Sequence, residues 1–120
     1  MIVAGIGCTS RATFDEMRAL LAQMAQGRRL AKLACLEMRA PQVLPLARAL
    51  NLPLLALPRA ALAGIATPTQ SARIDAEFST GSVAEACALL GAGTGARIVA
   101  IRQISGAGQA TCALAEGGEI

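Results

Sequence analysis

The opening segment Ile2–Glu16, IVAGIGCTSRATFDE, constrains the fold more than any other part of the chain. Its first residues are apolar or small, as in a strand buried on both faces, and a short loop of Cys8, Thr9, Ser10 and Arg11 follows. Thr13 and Glu16 then stand at the spacing of a helix capping box, in which the threonine oxygen accepts from the Glu16 amide and the glutamate reaches back. A strand running through a tight loop into a capped helix is the first half of a βαβ unit. The loop sits at the positive end of a helix dipole, beside Arg11, where an anionic ligand can be held.

The pattern continues down the chain. Phe14, Met17, Leu20, Leu21 and Met24 share one helix face, with Gly27 placed to end it. Leu30–Met38 reads as a second strand covered on both faces. Pro41 opens a helix carrying Val43, Leu46, Ala47 and Leu50, and Leu52–Leu57 is a third strand. Residues 58–64 read as a short helix. The polar run Ala66–Ser71 reads as a loop that continues through Arg73, Asp75 and Glu77 without firm periodicity, up to Gly81. Ser82 and Glu85 form a second capping-box pair before a helix with Val83, Ala86, Cys87 and Leu90 on one side, closed by Gly91 and Gly93. Ala96–Ile104 and Gln109–Ala115 read as an antiparallel hairpin, and only Glu116–Ile120 as loose. Alternating strands and helices predict an α/β fold. A mostly parallel, mixed sheet of about five strands ends in that hairpin, and residues 1–120 form one domain.

Composition narrows the function. Phe14 and Phe78 are the only aromatics and Lys32 the only lysine, so the net charge of +3 is carried by arginine, which favours carboxylate or phosphate. Nucleic acid is not an expected partner, because the basic residues do not cluster beyond Arg28-Arg29 and almost nothing is present for bases to stack on. Cys8, Cys35, Cys87 and Cys112 lack metal-ligand spacing and histidine is absent, so no metal and no cofactor are expected. No apolar run approaches the roughly 20 residues needed to cross a bilayer, so no membrane partner is expected. A cytoplasmic location with reduced thiols is the expectation.

Ligands of open α/β sheets bind at the carboxyl ends of the strands. Both capped helix starts, each preceded by Gly, Ser and Thr, belong there. Either loop alone is explained by ordinary turn chemistry; together, with arginines nearby, they point to a shared anion pocket. Cys8 is a candidate nucleophile if the dipole and Arg11 lower its pKa, or a small residue packed in a turn. Ser82 and Glu85 serve as helix caps or act on a ligand carbonyl or water. Thr67 and Thr69 donate to a carboxylate or shape the turn around Pro68. Arg102 faces either a pocket or solvent. No base, nucleophile and orienting group come together, so no catalytic residue is assigned.

Gly5-Ile6-Gly7-Cys8, Leu46-Ala47 with Leu52-Pro53-Leu54, Thr67-Pro68-Thr69, Gly81-Ser82-Val83-Ala84-Glu85-Ala86, and Arg102-Gln103 followed by a glycine turn and Thr111 resemble, in order and spacing, the cobalamin biosynthesis family formed by CobE and the C-terminal domain of CbiG. The short chain looks more like the free-standing CobE form. Where the family pattern has a lysine and an acidic turn after the second strand, this chain has Arg39-Ala40-Pro41, and a lysine near the end appears as Arg102. The resemblance implies a three-layer α/β/α sandwich and a role in building the corrin ring of vitamin B12, in the aerobic route. Corrin precursors are flat macrocycles with carboxylates around an apolar face. The residues expected to bind such a precorrin or corrinoid intermediate are Gly5, Gly7, Cys8, Thr9, Ser10, Arg11, Thr67, Thr69, Gly81, Ser82, Glu85 and Arg102. A binding or carrier protein is the first expectation. The alternatives are a cobalt-precorrin-5A-type lactone hydrolase releasing acetaldehyde, and a structural partner of precorrin methyltransferases.

Overall fold

The computed structural model describes residues 1–117. Ile2–Cys8 forms β1, Phe14–Ala25 α1, Leu30–Leu36 β2, Ala40–Ala49 α2 and Leu54–Leu57 β3. Ala72–Phe78 is α3, Val83–Ala92 α4, and the chain closes with β4, Arg97–Ile104, and β5, Ala110–Glu116. The five strands make one mixed sheet in the order β3-β2-β1-β5-β4, parallel from β1 to β3 and antiparallel from β1 through β5 to β4. One face is covered by α1 and α2, whose Met17, Leu20, Leu21, Val43 and Leu46 pack on Ala4, Ile6, Leu33 and Leu114. The other is covered by α4 and the 58–78 segment, through Leu62, Val83, Cys87 and Ala88 on Val3, Ala34 and Ala115. The expected α/β fold with its mixed five-stranded sheet and terminal hairpin is present, in three layers.

Small residues set the spacing on the second face. Gly5 lies so close under α4 that a Cβ there would stand 2.0 Å from the Ala84 carbonyl oxygen and 2.5 Å from the Ala88 nitrogen. Gly91, within α4, likewise clears Val3. The helix is buried nearly all round rather than on one side, from Val83 through Ala88.

Several boundaries differ from those read in the sequence. β2 stops at Leu36, where Glu37–Arg39 turns as a 3₁₀ helix. Pro53 lacks an amide for the ladder, so β3 starts at Leu54. Residues 59–62 are a 3₁₀ turn, and Gln26, in the left-handed region at φ 44°, caps α1 ahead of Gly27. The stretch expected to stay irregular contains α3, capped by Ser71, whose hydroxyl accepts from the Ile74 amide. Glu116 is not loose: it pairs with Ile2 and Arg97 in the sheet. The rest of that expected tail, residues 118–120, lies outside the described residues. No helix among them is long and apolar enough to cross a membrane.

Candidate functional site

The carboxyl ends of β1, β2 and β4, the start of α4 and the β4–β5 turn meet around a cleft of about 420 Å³. Ile6 and Gly7 of β1, Leu36 at the end of β2 and Val83 at the start of α4 give it an apolar lining, and Ile74 and Phe78 of α3 add to it. Three arginines from three different elements also line it. Arg39, half-buried, follows β2; Arg73, exposed, lies in the first turn of α3; Arg102, half-buried, is on β4. Among the described residues the only carboxylate of the lining is Glu77. It is matched by Arg59, which lies 3.7 Å from that carboxylate, donates to the Glu77 carbonyl at 2.9 Å, and stacks over Phe78 at 4.6 Å. The cleft therefore offers guanidinium donors in excess of acidic groups, over an apolar surface.

The loop after β1 is braced from outside its own sequence. Gln42 Nε2 on α2 donates to the Thr9 and Ala12 carbonyls at 2.9 and 2.8 Å, while the Thr9 hydroxyl and amide donate to Gln109 Oε1 and O at 2.6 and 2.9 Å. Thr13 caps α1 as expected, accepting from the Glu16 amide at 3.1 Å. The Glu16 carboxylate, however, reaches across to the β4–β5 turn, accepting from the Ser105 hydroxyl and, at 2.9 Å, from the Gln109 amide. The Ser105 hydrogen bond, helped by backbone amides, holds the Glu16 carboxyl below the usual carboxylate range despite partial desolvation. One glutamate thus ties the first helix to the last hairpin.

At α4 the Ser82 hydroxyl accepts from the Glu85 amide at 3.2 Å, the expected cap. Ser82 and Glu85 are both fully buried. Glu85 Oε1 accepts from the Thr69 amide and hydroxyl at 2.9 and 2.8 Å, and Oε2 accepts from the Arg102 amide at 2.8 Å. Thr67 donates to the Thr69 carbonyl at 2.9 Å, and the space beside Gly81 is filled by Gln70 and Thr67. Thr67, Thr69, Gly81, Ser82 and Glu85 therefore form an internal network behind the cleft. Gly5 is taken up by α4 rather than by open space. Arg11 is exposed and outside the lining, and the positive rim comes from Arg39, Arg73 and Arg102. Gly7, Cys8, Thr9, Ser10 and Arg102 are the candidates that the structure brings together.

Of the two readings of Cys8, the small residue packed in a turn is the one its surroundings favour. Burial raises its pKa, outweighing the attraction of Arg39, while the nearby Glu16 charge also raises it. Cys35 and Cys112 are pushed up to about 12 by burial and Cys87 is pushed higher still, in keeping with packed core thiols.

Residues 2–115 match the family model described as Cobalamin synthesis G C-terminus. The chain belongs to that family. Its fold is similar to the crystal structure of CobE, a protein from the cobalamin (vitamin B12) biosynthetic pathway, with TM-score 0.81 and 31% identity over 96% of this chain and 89% of that one. It is also similar to the cobalamin biosynthesis protein chiG from Agrobacterium tumefaciens, with TM-score 0.77 and 30% identity over 99% of this chain and all of that one. A cobalamin biosynthesis protein G homolog from Sulfolobus solfataricus shares the fold, with TM-score 0.78 at 17% identity, over 38% of its own length. Comparison with curated proteins finds no match. This member of the family takes part in cobalamin biosynthesis.

Sequence reasoning missed Arg39 and Arg73 as site residues, and Gln42 and Gln109 as braces. Arg39 had a signal, since it lies in the turn just past the end of a parallel strand, where such folds place their ligands. Arg73 had none until α3 was recognised. The two glutamines bond across 33 and 100 residues of chain, a pairing that no local pattern encodes.

Proposed function

We propose that the cleft binds a precorrin or corrinoid intermediate by its carboxylates, and that the protein acts as a binding or carrier protein in the aerobic route that the resemblance to CobE implies. The observation that carries this reading is the convergence of Arg39, Arg73 and Arg102 on one apolar-lined cleft. Guanidinium groups on separate elements suit a ligand with several carboxylates set around a rigid frame, because each can pair in the planar, two-bond geometry that arginine favours. The cleft is within the size range of small-ligand sites. It is open to solvent, so a ring held there by its carboxylates stays accessible to a partner such as a precorrin methyltransferase.

The hydrolase alternative finds less support at the residues it nominates. Burial disfavours the Cys8 thiolate, Ser82 is buried as a helix cap, and the Glu85 carboxylate accepts three hydrogen bonds from the protein itself. Binding without turnover is the outcome we expect.

The test is a visible-band titration with a metal-free corrinoid that keeps its free carboxylates, together with an assay for acetaldehyde from a lactone-bearing precorrin. Saturable binding is expected, weakened by salt. Arg39→Ala and Arg102→Ala each raise Kd about tenfold and the exposed Arg73→Ala about twofold, while no acetaldehyde appears. Binding indifferent to all three substitutions would contradict the reading.

A further inference from the structure

Glu85 is a fully buried carboxylate with, among the described residues, no cationic side chain bonded to it, an arrangement that is costly unless its oxygens are well supplied with donors. Starting α4 does not require it, because Ser82 already caps that helix. Its donors come instead from two other segments that build the cleft.

The Arg102 amide is available because β4 slips out of register there. Ala100 pairs with Leu114 and Gln103 with Cys112, so Ile101 and Arg102 both stand opposite the single residue Ala113. A bulge of this kind disrupts the ladder and re-aims a side chain. Glu85 Oε2 takes up the Arg102 amide at 2.8 Å, and Arg102 lines the cleft while Ile101 is half-exposed. On its other oxygen Glu85 holds Thr69 twice, two residues before Ser71, the cap of the helix that carries Arg73. One carboxylate therefore joins the backbones that present two of the three cleft arginines.

We propose that Glu85 is a positioning residue, which clamps the β4 bulge and the Thr69 loop so that Arg102 and Arg73 face the cleft. The proposal rests on the cleft being the binding site. Glutamine would keep the size of the side chain, but its amide nitrogen would point a donor at either Thr69 or the Arg102 amide and break one side of the clamp.

The experiment compares wild type, Glu85→Gln, Arg102→Ala and the double variant in two readouts. Residue-resolved amide exchange needs no ligand. The Arg102 or the Thr69 amide should exchange at least about tenfold faster in Glu85→Gln while the β1 amides stay protected. In the titration with the metal-free carboxylated corrinoid, Glu85→Gln should weaken binding about as much as Arg102→Ala. The double variant should be no more than about twofold weaker than Arg102→Ala, the residual twofold being the share of Arg73, since the rest of the Glu85 effect acts through Arg102. Unchanged exchange at both amides, or losses that multiply in the double variant, would overturn the proposal. Should Glu85→Gln fail to fold, Thr69→Val removes one hydroxyl donor alone; faster exchange at the Ile74 and Asp75 amides of α3 supports the clamp and unchanged exchange overturns it. A wild type that binds no corrinoid would overturn the cleft reading, while the exchange data would independently support or overturn the clamp.

Discussion

At the scale of single residues, the same side-chain spacing leads to two different uses. Thr13 and Ser82 cap their helices as their spacing from Glu16 and Glu85 implies, yet each glutamate's carboxyl group reaches a distant segment. The caps were legible because they are local. The destinations of the carboxylates were not, since Glu16 meets Ser105 across 89 residues and Glu85 meets Arg102 across 17. Glu16 has a testable consequence. Its folded pKa is lowered, so the stability it contributes is fully present above the ordinary carboxylate value of about 4.3 and is lost as pH falls through the lowered value. Thermal unfolding followed from pH 7 to pH 3 should show Glu16→Gln below wild type at neutral pH, with the two curves converging in acid. A gap that stays constant with pH would show that the charge plays no part in tying α1 to the hairpin.

At the scale of elements, the contact between β1 and α4 is backbone against backbone. A Cβ at Gly5 would meet the Ala84 carbonyl and the Ala88 nitrogen, neither of which can move without shifting the helix. Gly5→Ala should therefore cost about 3 kcal/mol in chemical denaturation, at the upper end for overpacking. Gly91→Ala should cost less, because the first atom met is a Val3 methyl at 2.8 Å and alanine favours the helix. A Gly5→Ala protein as stable as wild type would contradict the close approach. The βαβαβ half and the final hairpin were legible from apolar runs, Pro41 and the glycine turns. α3 was not: it is seven residues long, with only Ile74 and Phe78 as large apolar residues, and it owes its helical state to the Ser71 cap and to packing against the second core.

At the scale of the whole molecule, the crossover of the chain from one sheet face to the other brings the loops after β1 and β2, the start of α4 and the β4–β5 turn to one end. There the parallel strands finish, α4 begins and the hairpin turns. That end was legible, from the order of strands and helices alone, as the place where a cleft forms. Its charge was assigned to Arg11 and Arg102; the fold leaves Arg11 outside and brings Arg102 to the lining, while Arg39 and Arg73 enter through the turn after β2 and through α3. At the opposite end of the strands Arg18, Arg28 and Arg29 line a second groove, so the chain carries an internal control for non-specific attraction of anions. Titrating isotope-labelled protein with a metal-free, carboxylate-bearing corrinoid and following backbone amide shifts tests the central claim most directly. Shifts should concentrate at Gly7–Ser10, Arg39, Arg73, Arg102 and Gln109–Thr111. Shifts confined to Arg18, Arg28 and Arg29, or absent throughout, would contradict it.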